Sequence, residues 1–166
     1  RRLMGGRSRR VLAVSGQGRC ICLNRRMDIR QITPRYFVAP QIEPGDMESL
    51  RAQGITRILC NRPDAEVPPS HQAAAMREAA EAAGIAFAEQ PLTHQTMTPD
   101  VIANNRALGV DTDDTVLAYC ASGTRSTIAW ALGQAGEMDS DAIIEAARQG
   151  GYDLENMRPM LGQSYS

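Results

Sequence analysis

DTVLAYCASGTRS, residues 114–126, joins an apolar run to a loop that contains a cysteine, a glycine and an arginine. The apolar run from Val116 to Tyr119 is typical of a buried strand. Small residues follow Cys120, and a helix is predicted from Ser126 to about residue 135. In open α/β sheets, ligands bind where a loop leaves the carboxyl end of a strand and enters a helix. The pattern therefore predicts a central strand followed by a ligand-binding loop.

Strands and helices alternate along the rest of the chain. Apolar and β-branched runs predict three more strands, over residues 35–40, 55–61 and 85–92. Cap and stop signals predict helices over residues 43–54, 71–84, 99–109 and 139–151. Ser70 is expected to cap the second of these helices and Thr98 the third. This alternation predicts the α/β class, as a three-layer αβα sandwich with a mainly parallel central sheet.

The N-terminal segment differs in composition from the rest of the 166 residues. Residues 1–26 contain eight Arg and no acidic residue, so we predict a disordered or artefactual extension there and a single domain over residues 27–166. The domain has ten Arg against 19 acidic residues, which argues against a nucleic-acid partner. No apolar stretch reaches the roughly 18 residues of a membrane span. Four scattered cysteines are not a disulfide framework, so a cytoplasmic location is expected.

The loop after the central strand has the composition of an anion cradle. Backbone amides of a loop and the first turn of a helix favour bound negative charge, and Arg125 adds a planar cation. The same groups favour the thiolate of Cys120 over the thiol, and the hydroxyl of Ser126 or Thr127 could bond to the sulfur. We predict a nucleophilic Cys120 with no metal and no cofactor. The substrate-binding residues are predicted to be Ala121, Ser122, Gly123, Thr124 and Ser126.

Two longer stretches resemble known phosphatases. ITPRYFVAPQIEPGDMESLRAQGITRILCNRPDAE resembles the opening of dual-specificity-type protein phosphatases. Residues 27–135 resemble the beta-lactamase-hydrolase-like phosphatase domain family, a bacterial branch of that fold. The matching signatures are NRPD followed by an acid, TPD at the start of a helix, and YCxSGTRS. The resemblance implies a cysteine-phosphatase-like fold in which Cys120 is the nucleophile and Arg125 binds the oxyanion.

The loop departs from the ordinary cysteine phosphatases, which carry His-Cys-x5-Arg. Here Tyr119 stands in place of the His, and only four residues separate Cys120 from Arg125. The loop itself resembles that of rhodanese-type sulfurtransferases. Hydrolysis of a small phosphomonoester through a phosphocysteine is the expected function. The alternatives are sulfur transfer from a sulfane-sulfur substrate through a Cys120 persulfide, and an anion-sensing or redox-sensing module without turnover.

A cysteine phosphatase also needs an acid to protonate the leaving group. Three residues are candidates: Asp64, His94 and Asp100. Each has a simpler interpretation, because Asp64 follows a Pro in a turn, Asp100 suits the first turn of a helix, and His94 fits an exposed loop. The sequence does not choose among them.

Overall fold

Five strands form one mixed sheet in the computed structural model, which describes residues 28–162. They are β1 (Arg30–Thr33), β2 (Tyr36–Ala39), β3 (Arg57–Cys60), β4 (Ala86–Glu89) and β5 (Val116–Tyr119), in the spatial order β1-β2-β5-β3-β4. Only β1 is antiparallel to its neighbour, and every other pair is parallel. Cys120 follows β5 directly, so it lies at the middle of the carboxyl edge of the sheet.

Helices cover both faces of this sheet. One face carries α1 (Met47–Ala52) and α2 (Ala73–Ala82). The other carries α3 (Pro99–Gly109), α4 (Thr124–Gln134), α5 (Ser140–Gln149) and the short α6 (Arg158–Leu161). The predicted three-layer αβα sandwich with a mainly parallel sheet is thereby confirmed.

The central strand β5 separates two apolar clusters. Val116 and Ala118 belong to the cluster beneath α3, α4, α5 and α6, whereas Leu117 and Tyr119 belong to the cluster beneath α1 and α2. Successive side chains of a strand point to opposite faces, so a strand buried on both faces must be apolar at every position. This is why VLAY was recognisable as a central strand.

The helix that follows the cysteine loop begins earlier than the sequence predicted. α4 starts at Thr124, two residues before Ser126, so Arg125 lies within its first turn. Most of α4 is buried, and Trp130 stacks on Tyr36 of β2 with ring centroids 6.2 Å apart. A helix that is buried on most sides holds the residues at its N-terminus in fixed positions.

One local prediction fails, and one element was not predicted. Ser70 does not cap α2; it lies in a 3-10 turn, Pro69–His71, and the Ala73 N–H donates to Asp64 Oδ1 at 2.7 Å instead. β1 escaped prediction because only one of its four residues, Ile32, is buried, which leaves a weak alternation.

Some predictions concern parts of the chain without a described structure. The predicted extension over residues 1–26 lies outside the described residues. Among residues 28–162, no helix has the length and hydropathy needed to cross a bilayer.

Candidate active site

Cys120 is fully buried, and its sulfur accepts a hydrogen bond within its own loop. The Gly123 N–H donates to Cys120 Sγ at 3.1 Å. Backbone bonds also tie the loop to the end of β2, since Cys120 N–H donates to the Ala39 carbonyl at 3.3 Å and Gln41 N–H to the Ala121 carbonyl at 3.4 Å. The sulfur therefore lies at the N-terminus of α4, beside the first backbone amides of that helix.

Gly123 has a conformation that other residues rarely adopt. Its φ is +89°, in the left-handed region that favours glycine. A Cβ at this position would lie 2.1 Å from the hydroxyl oxygen of Tyr152. That hydroxyl donates to the Ser122 carbonyl at 3.1 Å, so a residue from beyond α5 packs directly on the loop. Both the backbone angle and this close approach require glycine here.

Arg125 is held by a carboxylate and a carbonyl from two other loops. Glu66 accepts hydrogen bonds from Nη1 at 2.8 Å and from Nη2 at 2.7 Å. The Leu92 carbonyl accepts a second bond from Nη1 at 2.7 Å. A guanidinium has five N–H groups. Within residues 28–162, three of them bond to Glu66 and Leu92, and the guanidinium also interacts with the side chain of Cys120.

The arginine and the glutamate stabilise each other's charge. The two hydrogen bonds to Glu66 raise the pKa of Arg125 above its usual value, although burial opposes this. In return, the Arg125 guanidinium lowers the pKa of the Glu66 carboxyl. Arg125 is only 9% exposed, and a buried cation without a partner would be costly. The pair thus keeps a charged group in a buried position beside the cysteine loop.

A buried asparagine connects the loops on this edge of the sheet. Asn61, just after β3, donates through Nδ2 to the Gln90 carbonyl at 2.9 Å and to Asn105 Oδ1 at 2.8 Å. Its Oδ1 accepts from the Ser126 hydroxyl at 2.8 Å. The Thr127 hydroxyl donates to the Gly123 carbonyl at 2.8 Å. Neither hydroxyl therefore bonds to the sulfur, contrary to the expectation for Ser126 or Thr127.

The other predicted binding residues differ in accessibility. Ala121 and Ser122 are exposed and Thr124 is half-buried, so the backbone of the loop is reachable from solvent. The Ser122 and Thr124 hydroxyls are 3.0 Å apart and bond to each other. Ser126 is fully buried with its hydroxyl on Asn61, which leaves no side-chain group of Ser126 for a substrate.

The residue in place of the usual histidine does not face the loop. The Tyr119 side chain is fully buried in the cluster beneath α1 and α2, close to Cys60. Its hydroxyl has no hydrogen-bond partner among the described residues. Burial raises the pKa of Tyr119, so this hydroxyl stays protonated.

The three acid candidates lie on the same edge but in different settings. Asp64 is in the 3-10 turn Asp64–Glu66 after β3, where its carboxylate receives the Ala73 N–H. Asp100 is exposed in the first turn of α3, whose N-cap is Thr98 as predicted. His94 is exposed in the loop between β4 and α3, two residues after the Leu92 carbonyl that binds Arg125.

Three residues of this site were not identified from the sequence: Glu66, Asn61 and Tyr152. Glu66 was noted only as the acid after NRPD. A buried arginine needs a counterion, which would have justified a search for one, but 19 acidic residues compete for the role. Tyr152 carries no local signal, because its contact with the loop depends on the path of α5.

Residues 28–137 match the family described as beta-lactamase hydrolase-like protein, phosphatase-like domain. The chain belongs to this family. A curated relative from Agrobacterium fabrum, named beta-lactamase hydrolase-like protein, is 31% identical over 126 residues, which are 75% of this chain and 29% of the relative. The chain thus spans under a third of that relative. The resemblance stated from the sequence is confirmed.

Solved structures show the same fold. A candidate phosphatase from Neisseria meningitidis superposes with a TM-score of 0.71 and 34% identity, covering 82% of this chain and 98% of the other. TpbA from P. aeruginosa, solved with phosphotyrosine, has a TM-score of 0.56 and 15% identity, covering 81% of this chain and 80% of TpbA. The fold is therefore of the cysteine-phosphatase type.

We expect Glu66→Gln to lower the free energy of unfolding at neutral pH, because the buried guanidinium loses its charged partner. The pKa of Glu66 is lowered in the folded state, so the stabilisation is fully present above the unfolded pKa, about 4.3, and is lost as the pH falls through the folded value. The difference in the free energy of unfolding between wild type and Glu66→Gln should therefore decrease below about pH 4.3. Urea unfolding at several pH values measures it.

The matched control is Glu78→Gln, on the exposed side of α2. It should behave as wild type at every pH. An equal loss of stability in both variants would contradict the role given to the Arg125 pair.

We expect Gly123→Ala to destabilise the protein more than Gly54→Ala. Both glycines have positive φ, +89° and +96°, so both substitutions incur the backbone strain of roughly 1–2 kcal/mol. Only at Gly123 does the new Cβ also meet Tyr152. Thermal or urea unfolding of the two variants gives the difference.

Adding Tyr152→Ala to Gly123→Ala removes the clash but leaves the strain. The double variant should therefore lose less stability than the sum of the losses measured for Gly123→Ala and Tyr152→Ala alone. Strict additivity would show that Tyr152 does not pack on the loop as described.

Proposed function

We propose that this protein hydrolyses phosphate monoesters through a phosphocysteine formed on Cys120. One observation carries the proposal: the Cys120 sulfur accepts the Gly123 N–H at the N-terminus of α4, and the Arg125 guanidinium interacts with the side chain of Cys120. The family is phosphatase-like, and the solved neighbours with this fold include a phosphotyrosine complex. A cysteine-dependent mechanism accounts for both.

The proposed chemistry has two steps. The Cys120 thiolate attacks phosphorus; the S–P bond forms, the ester P–O bond breaks, and the leaving alcohol takes a proton. Water then attacks the phosphocysteine, which breaks the S–P bond and releases inorganic phosphate. In the transition state the S–P bond and the ester P–O bond are both partial. The loop amides and Arg125 stabilise the negative charge on the equatorial oxygens at that point.

His94 is the proposed acid. Its loop is bonded to Arg125 through the Leu92 carbonyl, and His94 is exposed two residues further along the chain. A histidine is able to donate a proton near neutral pH. Asp64 is less suited because its carboxylate already caps α2 at 2.7 Å. Asp100 is six residues further along, at the start of α3.

The sulfurtransferase alternative rests on the short loop. Four residues between Cys120 and Arg125 make a smaller cradle than five, and a persulfide needs fewer donors than a phosphoryl group. The same purified protein tests both reactions.

We expect the protein to release phosphate from an aryl phosphate, with Cys120→Ser reducing turnover to background and Arg125→Lys reducing it by about 100-fold, since Lys lacks the planar fork. Vanadate should inhibit. In parallel, thiosulfate and cyanide are supplied, and thiocyanate is measured. Cys60→Ser is the control, because Cys60 is a buried core thiol on the neighbouring strand.

Thiocyanate release that depends on Cys120, without phosphate release, would replace the proposal with sulfur transfer. Neither product, with Cys120 still modified by oxidants, would favour a sensing module.

We expect His94→Asn to slow phenyl phosphate more than p-nitrophenyl phosphate, because the poorer leaving group depends more on protonation. The control is His71→Asn. His71 is the other histidine of the chain, and its side chain pairs with Glu43 and Ser70. Equal slowing of both substrates, or none, would move the acid to Asp64 or Asp100. The corresponding Asn variants then repeat the comparison.

A further inference from the structure

A second cavity lies at the opposite end of the sheet from Cys120. It encloses about 160 Å³ and is lined by residues where β2 and β5 begin and where α3 and α4 end. Tyr36, Trp130 and Gln134 form its buried part, whereas Arg35 and Thr112 lie where it opens to solvent. Parallel strands place their amino ends together, so this cavity is separated from the cysteine loop by the length of the sheet.

The inner part of the cavity is lined by two polar side chains that have no side-chain hydrogen bond within residues 28–162. Gln134 is 6% exposed, yet its carboxamide makes no hydrogen bond within residues 28–162. The indole N–H of the buried Trp130 has none within the same residues either. Neither group belongs to the fully enclosed side-chain atoms that lack a partner within residues 28–162, so both reach the open space of the cavity and are available to a ligand there. Here both groups line the same cavity.

Other polar groups around the cavity are satisfied by the protein. Asp114 forms an ion pair with Arg57 at 2.9 Å and accepts hydrogen bonds from Thr112 at 3.1 Å and Thr56 at 3.0 Å. The carboxylate of Asp114 is therefore already neutralised and hydrogen-bonded by protein groups. The unpaired set consists of one carbonyl acceptor and the N–H donors of an amide and an indole.

We propose that this cavity binds a small planar ring with a lactam edge, the chemistry of a pyrimidine nucleobase, through the carboxamide of Gln134. A carboxamide is a donor and an acceptor side by side, and a lactam offers the complementary acceptor and donor. The stacked rings of Tyr36 and Trp130 supply the apolar wall that a planar ring needs. The volume suits one six-membered ring, since an engineered cavity of about 150 Å³ holds benzene.

The test uses the full chain and three probes: uracil, 1-methyluracil and 1,3-dimethyluracil. Trp130 is the only tryptophan of the chain and lines the cavity, so its fluorescence reports binding directly. Saturation-transfer NMR on each probe is the second readout. Uracil and 1-methyluracil should give saturable changes. 1,3-Dimethyluracil has no N–H left and should bind at least about tenfold more weakly, because the Gln134 carbonyl would stay unpaired.

Gln134→Leu keeps a similar volume and removes the amide, so it should weaken uracil binding by about tenfold or more. Gln149→Leu, an exposed glutamine of α5 outside the cavity, is the control and should bind as wild type. Cys120→Ser should also bind as wild type, which separates this site from the proposed phosphatase site.

Absence of saturable binding, equal affinity for uracil and 1,3-dimethyluracil, or unchanged affinity in Gln134→Leu overturns the proposal. So does loss of binding in Cys120→Ser, which would place the ring at the cysteine loop. If Gln134→Leu does not fold, the comparison of the three probes on the wild-type protein decides.

Discussion

The hydrogen-bonded pair of Arg125 and Glu66 is the contact on which the arrangement of the site depends. Burying a guanidinium is unfavourable unless its N–H groups are paired, and this arginine cannot lose its proton to avoid the cost. Its partners come from two loops, one after β3 and one after β4, so both loops must lie where the guanidinium needs them. The pair also fixes the orientation of the guanidinium beside the cysteine loop.

A second, uncharged set of bonds supports the first. Asn61 joins the ends of β3 and β4 to α3 and α4 without any charge, and every one of its bonds is shorter than 3 Å. Buried polar networks that are fully satisfied favour one arrangement over others. The position of the cysteine loop therefore depends on α4, on the Arg125–Glu66 pair and on the hydrogen bonds of Asn61.

The features that were predicted correctly from the sequence are formed by residues close together in the chain. The strand, loop and helix around Cys120 lie within 19 residues, and a strand buried on both faces is apolar at every position. The features that were missed depend on distant segments. Glu66 is 59 residues from Arg125, and Tyr152 is 30 residues from Ser122. The error at Ser70 has another cause: two residues were able to cap α2, and the path of the turn favoured Asp64.

The position of Tyr152 bears on where the cooperative folding unit ends. The family match stops at residue 137, before α5, α6 and Tyr152. Yet Ile143 and Leu154, beyond that boundary, share one apolar cluster with Trp130 of α4. A fragment cut at residue 137 would expose the apolar side of α4 that packs in this cluster, and would leave the cysteine loop open where Tyr152 covers it. The physical domain therefore extends beyond residue 137, where the family match ends.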